Sequence, residues 1–351
     1  MPPDSLAPPA SDDLDSLPKA HLHLHFTGSL DVQTLARLAA AAGEELPEQL
    51  TDAVALAVPG TVRGWFRFQR SYDVARRVVR SEAAMRTVVR AAVRNDAAEG
   101  CRRLELQIDP TSYAPYVGGI VNALDIVRDE AVRVSAETGV QVALVVAASR
   151  MRHPMEARTL ARLAAKHAGQ GPGEVVGFGL SNNERNGNTA EWEGAFRIAR
   201  NAGLPGVPHA GELRGPEHIR QVVETLAPTR LGHGVRAAED PALLESLVNA
   251  GIALEVCPAS NVALGVYERL ADVPLRKLVD AGATVALGAD DPLLFRARLT
   301  AQYRAARRLG FDDAGLAGLA RSSIMASFAT DADKARWCAE VDAWERGRTV
   351  G

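Results

Sequence analysis

The sequence predicts a (β/α)8 TIM-type barrel with a helical insertion after the first strand, and three observations carry that expectation. Eight short apolar runs of the buried-strand type recur along the chain. Alanine- and arginine-rich stretches with helical spacing of apolar residues separate most of them, the rhythm of repeated βα units around a parallel sheet. No linker breaks the alternation and no glycine fingerprint follows a strand, which disfavours two doubly wound domains. At 351 residues a single large barrel is enough to account for the chain.

The elements follow in order. The opening MPPDSLAPPASDDLDSLP is acidic and proline-rich, with no basic region before an apolar stretch, so residues 1–17 read as a mobile arm rather than a signal peptide, and 18–351 as one barrel. Strands are expected at 20–25, 103–108, 140–147, 174–180, 206–209, 229–233, 252–256 and 284–288. Helices are expected within 120–137, 155–168, 188–202, 215–226, 239–250 and 268–281. The long link over about 30–100 holds helical patterns and no convincing strand, and such an insertion is placed to cover the barrel mouth.

Composition narrows the function. Hydrophobic residues make up 47 % and charged residues 24 %, and no apolar run reaches the length of a membrane span. Forty basic against 43 acidic residues leave a net charge of -3, which gives no global field for a polyanion and favours a small-molecule substrate over nucleic acid. Residues 61–103 hold eleven arginines against four acidic residues, but these arginines spread over all helical faces, as on a solvated surface or a homo-oligomer contact. Cys101, Cys257 and Cys338 are widely spaced without a CxxC pair, which points to a reducing, cytoplasmic setting.

In a barrel, chemistry sits where strands end. The first strand ends in His23-Leu24-His25, the fifth in His209-Ala210-Gly211-Glu212, the sixth in Gly232-His233-Gly234, and the eighth leads into Asp290-Asp291-Pro292. Alternate positions on a strand share a face, so His23 and His25 project together into the barrel. With His209 and Asp290 they form a compact nitrogen and oxygen site with room for a water, which favours one zinc ion per chain, iron or cobalt fitting the same ligand logic. His21 lies deeper on its strand and reads as a core residue; His153, His167 and His218 read as solvated, and Cys257 as a small buried residue.

The segments Pro18-Lys19-Ala20-His21-Leu22-His23-Leu24-His25-Phe26-Thr27-Gly28-Ser29, His209-Ala210-Gly211-Glu212, Leu231-Gly232-His233-Gly234, Cys257-Pro258-Ala259-Ser260-Asn261 and Ala289-Asp290-Asp291-Pro292 together resemble the adenosine deaminase family of metal-dependent barrel enzymes. The match spans nearly the whole chain after the arm. Related hydrolases bridge two metals with a carboxylated lysine near the end of strand four, but Lys19, Lys166, Lys277 and Lys334 all lie elsewhere, so one metal is expected. The resemblance implies hydrolytic deamination of a purine. The metal lowers the pKa of a water, His233 takes its proton or stabilises the hydroxide, Asp290 holds the water while ligating the metal, Glu212 donates a proton to the ring and Asp291 contacts the imidazole half of the purine. Glu212 must then start protonated, which predicts a raised pKa from burial beside other acidic groups. Hydrolysis of an ester or amide, and a binding role without turnover, are the alternatives; Glu212 and Asp291 together argue for a purine.

Departures from the family pattern bear on the substrate. Thr27 stands where adenosine deaminases carry the aspartate that binds the ribose 5′-hydroxyl and adenine deaminases a glutamate, which makes room for a nucleoside altered at the 5′ end. Asn182, in Gly179-Leu180-Ser181-Asn182, departs from a glycine-containing pattern at the purine edge. These phrases, with Gly64-Trp65-Phe66-Arg67-Phe68-Gln69-Arg70, resemble actinobacterial aminodeoxyfutalosine deaminases of menaquinone biosynthesis. Such a substrate carries a carboxyphenyl arm, for which Trp65, Phe68 and Tyr72 on one helical face would supply an aromatic wall and Arg67, with Arg63 and Arg70 on another, a cation. Ser112 and Tyr113 are weaker candidates for the same pocket. Ordinary adenosine or adenine deaminase is the alternative reading.

Overall fold

The computed structural model describes residues 13–349. Eight parallel strands form one sheet in sequence order: β1 (Lys19–His25), β2 (Cys101–Ile108), β3 (Gln141–Ser149), β4 (Val175–Ser181), β5 (Gly206–Ala210), β6 (Arg230–His233), β7 (Ala253–Val256) and β8 (Val285–Leu287). Helices cover the outside, as a (β/α)8 barrel requires. The β8–β1 seam closes only at the rim, through a bridge between Leu24 and Asp290. There Asp290 N–H donates to the His23 carbonyl at 3.0 Å and His25 N–H to the Asp290 carbonyl at 3.1 Å. The seam itself therefore sets Asp290 beside both histidines.

All eight expected strands form, each within a few residues of its expected bounds. The link after β1 contains helices Val32–Ala42, Glu48–Thr51, Val62–Arg77 and Glu82–Ala98. Its two longest helices start at Thr61 and Ser81, whose side chains accept from Gly64 N–H and Ala84 N–H, as N-caps do. Beyond β8 the chain adds helices Leu299–Arg308, Asp313–Ala326 and Asp331–Thr349, which were not among the expected elements. The expected helix over 268–281 is a short turn, Leu270–Asp272, followed by Leu275–Asp280. Of the expected arm, residues 1–12 lie outside the described residues. Residues 13–17 pack on the protein: Leu14 and Leu17 are fully buried, and Lys19 Nζ donates to both of their carbonyls, at 2.7 and 2.8 Å. No helix among the described residues is long and apolar enough to cross a membrane.

A bulge in β1 corrects simple alternation. His21 pairs with Leu104 and Leu24 with Leu106, so three steps on β1 oppose two on β2. His21 thus shares the outward face of Leu104 instead of lying under His23; its Nδ1 meets Asp96 Oδ2 at 2.7 Å and its Nε2 accepts from Ala289 N–H at 3.0 Å. Inside the barrel, beneath the rim, a buried ionic layer replaces apolar filling. Arg230 donates to Glu105 Oε2 (2.6 Å) and Glu255 Oε1 (2.7 Å), and Arg103 to Glu105 Oε1 (3.1 Å). Each buried charge there has an opposite partner, the condition for tolerating it.

Candidate metal and catalytic centre

His23 and His25 on β1, His209 on β5 and Asp290 after β8 converge at the rim. His209 Nε2 lies 3.2 Å from His25 Nε2, and Asp290 Oδ1 lies 3.1 Å from His25 Nε2 and 3.6 Å from His23 Nε2. His23, His25 and His209 each offer a ligand atom within 4.8 Å of the others. The donor set fits a cation. His23 Nδ1 is held by Glu255 Oε2 at 2.7 Å, which places the proton on Nδ1 and aims the Nε2 lone pair at the cluster, where that buried atom has no hydrogen-bond partner. Burial alone would lower the His23 pKa, but the carboxylates of Asp290 and Glu255 beside the ring outweigh it and raise it to about 10. Asp290 is fixed further by Ser260 Oγ, which donates to Oδ2 at 2.6 Å. Glycine at 232 makes the packing possible: a Cβ there would lie 2.9 Å from His209 Nδ1 and 3.0 Å from His23 Cε1. Cys257 is buried near His23 and His233, with its thiol pushed well up by that burial and so kept neutral.

Two acid–base groups face the cluster. Glu212, in the turn after β5, is buried, and that burial, followed by the charges of Asp290 and Glu184, holds its carboxyl well above the usual range. His233 Nε2 stands 3.6 Å from Glu212 Oε1, while burial first and the neighbouring His23 second lower the His233 pKa to about 3. A neutral imidazole thus faces a protonated carboxyl. Asp291 is also buried and raised by burial and by Asp290, and its Oδ1 has no partner. It begins the short helix Pro292–Phe295 without capping it through its side chain. His233, Asp290 and Asn182 all adopt positive φ (66°, 60° and 76°), a conformation uncommon outside glycine that these three residue types tolerate best, and all three stand at strand ends facing the site.

A cavity open to solvent leads from the cluster to the insertion. His25, His209, Glu212, His233, Asp290, Asp291, Asn182, Trp65 and Phe68 line it, as do Tyr72, Ser112 and Tyr113. Asn182 turns its side-chain oxygen back to accept Asn183 N–H at 2.8 Å. Two expectations for the outer pocket need correction. Thr27 is fully buried and does not line the cavity; its Oγ1 meets Tyr113 Oη at 2.6 Å, and Tyr113 is the lining residue of the two. Arg67 is exposed, as are Arg63 and Arg70, and none of them lines the cavity; the arginine that does is Arg76, which donates to Ser112 Oγ (3.1 Å) and Asp73 Oδ1 (2.5 Å). Arg76 continues the 65, 68, 72 series by one more helical turn, a spacing legible in the sequence. Asp109 and Gln107, at the end of β2, also line the cavity and were missed. Of the three histidines read as solvated, His153 is exposed, His167 is half-buried, and His218 is buried.

Comparison with known proteins follows the same lines. Residues 18–344 match the family model described as adenosine deaminase. A Streptomyces virginiae protein named "Putative adenosine/adenine deaminase" is 52 % identical over 95 % of this chain and 98 % of its own. An aminodeoxyfutalosine deaminase of Streptomyces avermitilis is 34 % identical over 93 % of this chain and 91 % of its own. The crystal structure of an adenine deaminase from Arthrobacter aurescens superposes with a TM-score of 0.85 at 30 % identity, covering 94 % of this chain and 99 % of that one.

Proposed function

The chain belongs to the adenosine deaminase family and is a hydrolytic deaminase, and we propose that it replaces the 6-amino group of an adenine nucleoside with oxygen from water, releasing ammonia. The observation that carries this is the convergence of two buried carboxyl groups, Glu212 and Asp291, with His233 and the histidine cluster on one cavity, Glu212 Oε1 standing 3.6 Å from His233 Nε2. His23, His25, His209 and Asp290 would hold the metal, for which their geometry favours zinc. When bound, such an ion supplies a water of lowered pKa at the rim.

The protein's own groups then divide the proton transfers. His233, neutral at physiological pH, takes a proton from the attacking water. Glu212 gives its proton to the ring nitrogen beside carbon 6, which turns the ring into an electron sink as the new C–O bond forms. Asp291 donates to the imidazole half of the purine and orients it. Collapse breaks the C–N bond: the amino group leaves as ammonia with the proton first taken by His233, and the new hydroxyl becomes the 6-oxo group as its proton restores Glu212. The overall change consumes one water and leaves a 6-oxopurine.

For the substrate's far end we favour a nucleoside altered at the 5′ position with an anionic aromatic arm, as in aminodeoxyfutalosine of menaquinone biosynthesis. Trp65, Phe68 and Tyr72 supply the apolar wall, and Arg76 with Ser112 the anion contact. The relative at 34 % identity supports this reading. Adenosine or adenine is the second reading, favoured by the relative at 52 % identity and by the Asp109 carboxylate in the same cavity, which would oppose an anion and suits a ribose hydroxyl. Free cysteines at 101, 257 and 338 support a reducing, cytoplasmic setting. Specificity constants for adenine, adenosine, 5′-deoxy-5′-methylthioadenosine and aminodeoxyfutalosine decide the matter. Preference for the last, lost in Arg76→Ala, supports the anionic arm; preference for adenosine or adenine refutes it and leaves the chemistry standing.

A further inference from the structure

Glu184 follows β4, is fully buried, and does not line the cavity. Its carboxylate accepts three successive backbone N–H groups from the turn leaving β5: Glu212 at 3.0 Å, Leu213 at 2.8 Å and Arg214 at 2.8 Å. The same turn is gripped from the other side. Arg150, after β3, donates from Nη2 to the carbonyl of His209 at 3.1 Å and is covered by the Trp192 ring 5.5 Å from its guanidinium. Nε and Nη1 of Arg150 have no hydrogen-bond partner, and its charge acts on Glu184. Thus side chains from two neighbouring strand ends hold both ends of the segment from His209 to Arg214, which carries a metal ligand and the proton donor.

A buried carboxylate beside the carboxyl of Glu212 is a costly way to satisfy three amides if satisfaction were its whole purpose. Its geometry offers something a neutral group does not: charge-assisted bonds to three consecutive amides, which leave the turn one position. The turn begins at Gly211, with φ 78°, where the chain is otherwise free to pivot. We infer that Glu184 is a positioning residue for the deamination: with Arg150 it fixes the His209–Arg214 segment so that the Glu212 carboxyl stands at the ring nitrogen during proton transfer. This rests on Glu212 being the proton donor.

The test compares Glu184→Gln, Glu212→Gln and the double variant as zinc-loaded proteins, with melting temperature and metal content recorded for each. Glu184→Gln is expected to lower kcat about 10- to 100-fold, to keep KM within about threefold and to retain one zinc per chain. Because it acts through Glu212, adding it to Glu212→Gln should cost less than about threefold more. Folded, zinc-replete Glu184→Gln with near-parental kcat overturns the inference, and so do losses that multiply in the double variant. If Glu184→Gln does not fold, Glu184→Asp, which keeps the charge one methylene short, is read by the same two criteria. A Glu212→Gln protein with undiminished rate would refute the donor assignment instead, a result visible without reference to Glu184.

Discussion

Gly28 lies in the turn after β1, and a methyl group added there would sit 1.7 Å from Asp291 Oδ1 and 3.0 Å from Asp291 Cα. The backbone contact leaves the aspartate little room to retreat as a unit, so its carboxyl must swing away. Bringing the oxygen back to ordinary contact at roughly 3.2 Å requires a displacement of about 1.5 Å, and misplacing a positioning group by about 1 Å costs on the order of 100-fold in rate. Gly28→Ala is therefore expected to lower kcat/KM about 100-fold, roughly 2.7 kcal/mol of transition-state stabilisation. Zinc content should stay at one per chain, since Asp291 is not among the proposed ligands. Steady-state ammonia release, with metal analysis of the same samples, measures both. Gly318→Ala is the control: it lies in the helix Asp313–Ala326 with no atom within 4 Å of the added carbon, so kcat/KM should be unchanged and stability about 1 kcal/mol higher. Gly28→Ala with kcat/KM within about threefold of the parent would refute the role given to Asp291.

Glu212→Gln should keep fold and zinc but lower kcat at least about 100-fold, and near-normal turnover would remove its assignment as proton donor. Glu255→Gln takes the charge from the group that orients His23 Nδ1 and is expected to weaken zinc binding about 10- to 100-fold in competition with a chromophoric chelator; unchanged affinity would contradict the orienting role. His218 is buried, and that burial, then the charges of Arg150 and Arg214, lower its pKa to about 3. The unfolded chain binds this proton near pH 6.5 and the folded protein does not, so stability is lost as pH falls from 6.5 toward 3. His218→Gln should shrink the loss of unfolding free energy between pH 7 and pH 5 by roughly 2 kcal/mol, measured by urea denaturation at both pH values; equal losses in parent and variant would contradict it.

The strand rhythm and the residues at strand ends were legible because both are local. Eight apolar runs declare the barrel, and His23, His25, His209, His233, Glu212 and Asp290 stand within a few residues of a strand terminus, where the fold alone brings them together. What was not legible depends on relations between strands. A bulge opposite Leu104–Leu106 turns His21 outward, and nothing in KAHLHLH announces it. Thr27 pairs with a tyrosine 86 positions away, a contact that the local motif does not announce. The ionic layer of Arg103, Glu105, Arg230 and Glu255 was not read from the sequence, because its pairing runs between strands across the barrel. Arg67 and Arg76 differ only in helical phase relative to Trp65, and carrying the aromatic face one turn further would have chosen Arg76.

Deamination by water at carbon 6 is tested most directly in 18O-labelled water, with the zinc-loaded protein and the best adenine nucleoside of the panel. One ammonia should appear per product, and the 6-oxo group should carry one labelled oxygen. If the metal-replete protein releases no ammonia from any adenine compound, or the product oxygen is unlabelled, the assignment of Glu212, His233 and the histidine cluster to this reaction is contradicted.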